Sequence, residues 1–233
     1  MGLPTINIPT YTLKIPSNKE EIKYRPFLVK EEKILLMAME EDDDKQQLNA
    51  IRQIVSNCTF ENVNANLLPT FDLEYIFLRI RAKSVGEIST LQLLCEDDGV
   101  TYAEVKVNLE EIEVEFVDDH TNIIELNDEV KIEMTYPTFE MLDSINSGNT
   151  EEVFNLISKC VKRIVEGETI YEKDDFTQKE LNEFLENLNS EQFSAIRKFF
   201  DTMPKLTKEV KYKNPKTKKN NKMTLEGMQS FFG

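Results

Sequence analysis

The last two dozen residues of the chain, 210–233, constrain its fold most, because they have the layout of a zinc ribbon that lacks its metal ligands. A zinc ribbon needs short hairpin turns with paired thiolates, typically spaced as Cys-x-x-Cys. The equivalent turn here reads Asn214-Pro-Lys-Thr217. We therefore expect a metal-free, degenerate zinc-ribbon-like hairpin over about residues 205–233. Its apolar packing is expected to come from Tyr212, Met223, Leu225, Met228, Phe231 and Phe232.

Length and composition are those of a globular protein without a membrane segment. The 233 residues allow one large or two modest domains, and 40% are hydrophobic and 30% charged. No apolar run approaches the roughly 18 to 20 residues of a membrane span, and the start of the chain lacks a secretion signal. The sequence thus predicts neither membrane insertion nor secretion. The widely spaced Cys58, Cys95 and Cys160 are typical of reduced, buried thiols.

The net charge of −15 is distributed unevenly along the chain. Between Lys205 and Lys222 there are eight lysines and one acid, a local charge of +7 that leaves −22 on the remainder. The remainder is expected to repel nucleic acid at long range. The basic segment is either a solvated loop or a contact for phosphate or for an acidic protein.

The first part of the chain predicts a β-hairpin arm over residues 1–27. Apolar and polar side chains alternate on either side of the turn-rich cluster Pro16-Ser-Asn-Lys19. Pro9 and Pro16 cannot donate to a sheet ladder, so we expect the arm at a sheet edge, where it adds little to the core and offers its backbone for pairing.

Helices and strands are both predicted in the body, which indicates an α+β fold. Apolar residues recur at helical spacing from Val29 to Val55, and residues 70–83 are predicted as a helix. Short stretches rich in Val and Ile predict an antiparallel meander of three or four strands, at 88–94, 102–109, 112–117 and 130–134.

The second part of the chain is predicted to be helical. Residues 139–145, 151–166 and 177–188 have helical patterns, a further helix begins at Ser190, and Thr177-Gln-Lys-Glu180 is a capping-box sequence. A soft boundary is placed near residue 146. We therefore expect an N-terminal α+β domain over 1–146 and a C-terminal helical region with the ribbon-like hairpin over 147–233.

No residue pattern predicts a catalytic, cofactor or metal site. His120 is the only histidine, and its sequence context, Asp118-Asp-His-Thr121, is typical of a turn. The 7 glycines form no phosphate-binding loop. The segment Cys95-Glu-Asp-Asp-Gly99 lacks the second thiolate of a zinc knuckle, and a turn with Gly99 at positive φ explains it without metal. These observations favour a protein that is not an enzyme.

Four segments carry a resemblance to a known family: Asn7-Ile-Pro-Thr-Tyr-Thr-Leu-Lys-Ile-Pro16, Tyr24-Arg-Pro-Phe-Leu-Val-Lys-Glu-Glu-Lys-Ile-Leu-Leu-Met-Ala38, Phe77-Leu-Arg-Ile-Arg-Ala-Lys-Ser-Val-Gly86 and Leu225-Glu-Gly-Met-Gln-Ser-Phe-Phe232. They resemble the baseplate hub assembly proteins of T-even-like contractile-tailed bacteriophages. Many members of that family carry Cys-x-x-Cys pairs near the sites of Cys95 and Asn214. This chain keeps one cysteine at the first site and none at the second.

The resemblance implies a non-enzymatic assembly factor for the baseplate hub, acting as a chaperone for a hub or tape-measure protein in the host cytoplasm. Two alternatives stay open: a structural subunit retained in the virion baseplate, and, from another class, an acidic module that imitates nucleic acid. No cofactor, membrane or specific nucleic acid is expected as a partner. The partner-binding candidates are Tyr11, Tyr24, Phe27, Phe231 and Phe232. For the last two, packing in the core of the hairpin is the favoured interpretation, and an anchor for a partner is the alternative.

Overall fold

The structure is a computed structural model that describes residues 7–40, 44–143 and 149–231, and structural statements refer to these ranges. Helices and small antiparallel sheets confirm the predicted α+β class. None of the described helices is long and apolar enough to cross a membrane. In chain order the elements are β1 (Tyr11–Lys14), β2 (Glu21–Tyr24), α1 (Val29–Glu40), α2 (Asp44–Cys58), α3 (Thr70–Val85), β3 (Ile88–Leu94), β4 (Tyr102–Asn108), β5 (Glu113–Glu115), β6 (Ile123–Glu125), β7 (Val130–Met134), α4 (Phe139–Asp143), α5 (Thr150–Cys160), β8 (Val161–Glu166), β9 (Thr169–Glu172), α6 (Gln178–Glu186), α7 (Ser190–Thr202), β10 (Lys205–Lys213) and β11 (Asn220–Glu226).

The chain forms two compact units. Unit 1 contains the residues up to Glu115 and those from Lys205 onward, and unit 2 contains Phe116–Pro204. This division differs from the expected one into 1–146 and 147–233, whose boundary near residue 146 lies outside the described ranges. The expected boundary would separate β7 from its partner β8 and β5 from its partner β10. In the structure, each of these strand pairs lies within one unit.

Helix α3 is the centre of unit 1, and it confirms the helix predicted from residue 70. Its buried residues face in every direction, as expected for a helix enclosed by other elements. Two of them are polar and have partners. The Asp72 carboxylate accepts a hydrogen bond from the Ser17 amide at 3.1 Å, and the Arg79 guanidinium donates to the carbonyls of Leu109 and Ile112 at 2.9 and 2.7 Å.

The N-terminal hairpin is present, but the expectation that it adds little to the core is wrong. Strands β1 and β2 pair from Tyr11↔Tyr24 to Lys14↔Glu21. The alternating pattern gives this hairpin one apolar face, and unit 1 buries it: Ile15, Ile22 and Phe27 are each less than 10% exposed. The hairpin is therefore part of the core of unit 1.

The predicted strands exist in the centre of the chain, but the single meander is wrong. Strand β3 pairs with β4 from Ile88↔Asn108 to Leu94↔Tyr102. Strand β5 instead joins the sheet β11-β10-β5, and β7 joins the sheet β6-β7-β8-β9 of unit 2. Strand β10, which pairs with β5, and strand β8, one of the two partners of β7, come later in the chain, where a pattern of neighbouring strands does not reveal them.

The C-terminal segment folds as a hairpin that ends in the interior of unit 1. Strands β10 and β11 pair from Thr207↔Glu226 to Lys213↔Asn220. A 3-10 turn follows at Met228–Phe231, where the carbonyl of Phe231 accepts a hydrogen bond from the Ser89 hydroxyl at 2.8 Å. The hairpin is as expected, while its likeness to a zinc ribbon rests on the sequence pattern alone.

Unit 2 packs helices against a four-stranded antiparallel sheet. The capping box predicted at Thr177 and Glu180 is present at the start of α6. The helix predicted over 151–166 is wrong at its end, because the last six residues, Val161–Glu166, form β8 between β7 and β9. The buried core comprises Ile124, Leu126, Ile132, Met134, Ile157, Cys160, Val161, Leu181, Leu185, Ile196 and Phe199.

Replacing Glu74 of α3 with Gln is expected to stabilise the protein at alkaline pH but not near pH 4.5. Burial, with a contribution from the Glu226 carboxylate, raises the pKa of Glu74 from 4.5 to about 7, although a hydrogen bond from the Met228 amide opposes the shift. The folded chain thus holds a proton that the unfolded chain releases, and stability falls as the pH rises through this window. Glutamine does not ionise and so avoids that loss. We expect the variant's free energy of unfolding to exceed that of the native protein by about 1 to 2 kcal/mol at about pH 8.5.

Urea denaturation of both proteins at about pH 4.5 and about pH 8.5 measures the difference. The same substitution at Glu104, an exposed residue of β4, is the control. A gain that is equal at both pH values would show that the charge of Glu74 is not its cause.

Candidate partner-binding surfaces

The aromatic residues predicted to bind a partner lie mostly inside unit 1. Tyr24 and Phe27 are less than 10% exposed, and Phe231 is fully buried. Tyr11 is half-buried, with its ring 5.7 Å from that of Tyr24. Phe232 lies outside the described residues. These positions favour packing over recognition for Phe231, and the partner-binding role of the set stays a prediction.

An open groove of about 930 Å³ lies beside α1 and α2, and sequence reasoning did not identify it. Its apolar lining consists of Ile34, Met37, Ala38, Ala50, Val63 and Ala65. Its polar lining consists mainly of the amide side chains of Gln46, Asn49, Gln53, Asn57, Asn64 and Asn66. Among the described residues that line it, only Arg52 and Glu61 are charged. Charge is scarce at the centres of protein interfaces, so this lining is suited to binding another protein.

The last turns of α1 extend the groove with an exposed apolar surface. Leu36, Met37 and Met39 are 55%, 53% and 55% exposed. The opposite side of the helix is fixed, because Glu31 is fully buried and receives a hydrogen bond from the Arg25 guanidinium at 3.0 Å. Burial on that side leaves the three apolar side chains facing solvent. The amide-rich sequence of α2 is the one sequence signal that could have indicated a wall of the groove. That α1 lies beside α2 is visible only in the fold.

A second surface forms where the β3–β4 turn meets the β10–β11 turn. The Asp97 carboxylate accepts hydrogen bonds from Asn214 Nδ2 at 2.8 Å, from Thr217 Oγ1 at 2.5 Å and from Asn221 Nδ2 at 2.9 Å. Asp98 accepts from the same Asn214 nitrogen at 3.0 Å. We call these five side chains the turn–turn network. It joins two segments that are more than a hundred residues apart in the sequence.

The residues of the turn–turn network stabilise each turn as well as the contact between them. Asn214 is fully buried, and its Oδ1 accepts from the amides of Lys216 and Thr217 at 2.8 and 3.1 Å. Asp98 accepts from the hydroxyl and amide of Thr101, and these bonds hold its pKa well below the usual range. Gly99 has the positive φ predicted for it, +67°.

The ligands of a metal-binding ribbon do not fit this chain. The positions spaced as Cys-x-x-Cys in the two turns hold Cys95 and Asp98, and Asn214 and Thr217. Burial and the nearby Asp97 and Asp98 carboxylates raise the pKa of the Cys95 thiol, which disfavours the thiolate that zinc requires. Within the described ranges, no three His, Cys, Asp or Glu residues cluster in a way that could hold a metal ion. Neutral side chains and carboxylates join the turns instead.

His120 has partners that are structural. Its ring nitrogens lie 3.0 Å from the hydroxyls of Thr202 and Tyr136, and its ring stacks on that of Tyr136. Burial lowers the pKa of His120. The ring therefore ties the loop before β6 to α7 and to the segment after β7.

Residues 8–233 match the model of a family described as T4 bacteriophage base plate protein. No curated protein and no solved structure matches the chain.

Replacing Asn214 with Ala is expected to destabilise unit 1, whereas a chelator is expected to have no effect. The substitution leaves two turn amides without their acceptor and removes one hydrogen-bond donor from each of two carboxylates. Such a loss typically costs about 1 to 3 kcal/mol in the free energy of unfolding. Thermal unfolding with and without EDTA, and elemental analysis for zinc, check the two parts. A zinc content near one atom per chain, or a midpoint lowered by EDTA, would contradict the metal-free interpretation.

Proposed function

The chain belongs to the T4 bacteriophage base plate protein family, and we propose that within this family it is a non-enzymatic assembly factor that acts as a chaperone for a hub or tape-measure protein. It would bind its client in the host cytoplasm, cover surfaces that otherwise associate too early, and leave when the baseplate hub is complete.

The exposed apolar surface of α1 beside the charge-poor groove is the observation that carries this proposal. Soluble proteins rarely leave contiguous apolar side chains exposed without a binding role. Here Leu36, Met37 and Met39 lie next to a groove whose lining is mostly apolar or amide. Methionine is unbranched and polarisable, so it adapts to differently shaped partners. An adaptable surface of this kind suits a client that is bound and later released.

The chemistry of the described residues supports binding over catalysis. Burial raises the pKa of Cys58 to about 11 and that of Cys160 to about 12, so both thiols stay protonated at neutral pH. The imidazole of His120 is held between a threonine and a tyrosine hydroxyl and has no thiol or carboxylate partner. The two thiols are therefore not placed as nucleophiles, and the imidazole is not placed as a general base for a nucleophile.

Replacing Leu36, Met37 and Met39 together with Ser is expected to weaken client binding about tenfold or more, because apolar residues at the centre of an interface carry most of its energy. The fold should persist, since exposed side chains contribute little to stability. Co-expression with candidate hub and tape-measure proteins, followed by size-exclusion chromatography and titration of the purified pair, measures binding.

The matched control replaces three similarly exposed residues of unit 2 with Ser: Ile123, Val153 and Ile170, which are 48%, 43% and 51% exposed. If the groove variant and the control variant bind the client with equal affinity, the groove is excluded as the client site. Failure of the native chain to bind any candidate would exclude these clients.

The protein is expected in infected-cell lysate, in complex with its client, and not in purified virions. Quantitative mass spectrometry of both samples, referred to a known baseplate subunit, makes the comparison. A fixed stoichiometric copy number in virions would instead assign the chain as a structural subunit of the baseplate hub.

A further inference from the structure

The turn of the C-terminal hairpin displays lysines without carboxylate partners. Lys216, Lys218 and Lys219 lie in the turn, Lys213 precedes it, and all four are exposed. Within the described ranges, none of the four forms a salt bridge. The ammonium of Lys218 donates to the Pro215 carbonyl at 2.6 Å, which leaves its charge unneutralised. We call these four residues the lysine tip.

The other four lysines of the same hairpin are different, because each has a glutamate partner. Lys205 pairs with Glu226 at 2.8 Å and Lys208 with Glu111 at 3.3 Å. Lys211 and Lys222 share Glu209, at 3.4 and 2.5 Å. Three glutamates therefore offset most of the positive charge of these four lysines, whereas no salt bridge offsets the charge of the lysine tip, in a protein whose net charge is −15.

The acids nearest to the turn are occupied by neutral donors. Asp97 accepts from Asn214, Thr217 and Asn221, and these bonds, chiefly that from Thr217, hold its pKa below the usual range. The same bonds fix the base of the turn against the β3–β4 turn. The backbone that carries the lysines is thus ordered before any partner arrives, which lowers the entropy lost on binding.

We propose that the lysine tip is a docking point for a cluster of carboxylates on a different protein. Four unpaired ammonium groups on a fixed turn match such a cluster in charge, and this attraction speeds the encounter and orients the partners. The surface is separate from the groove beside α1, so the proposal does not depend on the chaperone function.

Two features favour a protein partner over nucleic acid. The tip offers no arginine and no exposed aromatic ring for stacking on bases, since Tyr212 is buried with its hydroxyl on the Leu94 carbonyl at 2.7 Å. A nucleic acid also carries negative charge along its whole length, which the acidic remainder of the chain repels. A carboxylate cluster no larger than the tip avoids that repulsion.

The test replaces Lys213, Lys216, Lys218 and Lys219 with Gln and measures binding of a fluorescent ten-glutamate peptide by anisotropy at low and high salt. The control makes the same change at four exposed lysines elsewhere, Lys14, Lys23, Lys106 and Lys198, so that both variants have the same net charge. We expect the native and control proteins to bind the peptide and the tip variant to bind about tenfold more weakly, with the difference vanishing at high salt.

Equal binding by the two variants would overturn the proposal. So would tip-dependent binding of a DNA duplex in preference to the peptide, or tip-dependent self-association in sedimentation, because each assigns a different partner. Circular dichroism should show the same fold in both variants. The groove variant at Leu36, Met37 and Met39 should keep its peptide binding, which separates this result from the test of the chaperone function.

Discussion

Unit 1 depends on the enclosure of α3 on every side. A helix that is buried around its circumference must satisfy its polar side chains within the protein, since an unpaired buried charge is costly. Asp72 uses the N-terminal hairpin for this purpose, through Ser17. Arg79 uses the carbonyls that precede β5. The same two contacts hold the N-terminal hairpin at one end of the helix and place β5 where β10 can pair with it.

Hydrogen bonds between side chains join the β3–β4 turn to the β10–β11 turn. Structural zinc would impose four ligands with fixed geometry. Here Asn214 provides two donors to carboxylates and an acceptor to its own turn, so one buried amide joins both segments. Hydrogen bonds to a carboxylate contribute more to stability than those between two neutral groups. Burial of Phe231, Leu225 and Met228 supplements them with apolar packing.

The features that were predictable from sequence are local. The α3 pattern, the capping box at Thr177 and the alternating strands β3 and β4 each lie within a few residues, so the periodicity of side chains identifies them. The features that were missed depend on distant partners. Strand β8 follows α5 without a break, and only pairing with β7 and β9 distinguishes Val161–Glu166 from more helix. The groove likewise requires two helices and a loop to meet, which no single segment indicates.

The position of unit 2 in the chain has a consequence for folding during synthesis. Glu115 and Lys205 are paired residues on neighbouring strands, so unit 2 is an insertion between two strands of one sheet. Unit 2 is continuous in sequence and can fold as soon as the ribosome has released it. Unit 1 has to wait for its last segment, because β5 lacks its partner and the site of Phe231 stays empty until then. We therefore expect a stage during synthesis in which unit 2 is folded while unit 1, which begins earlier in the chain, is still incomplete.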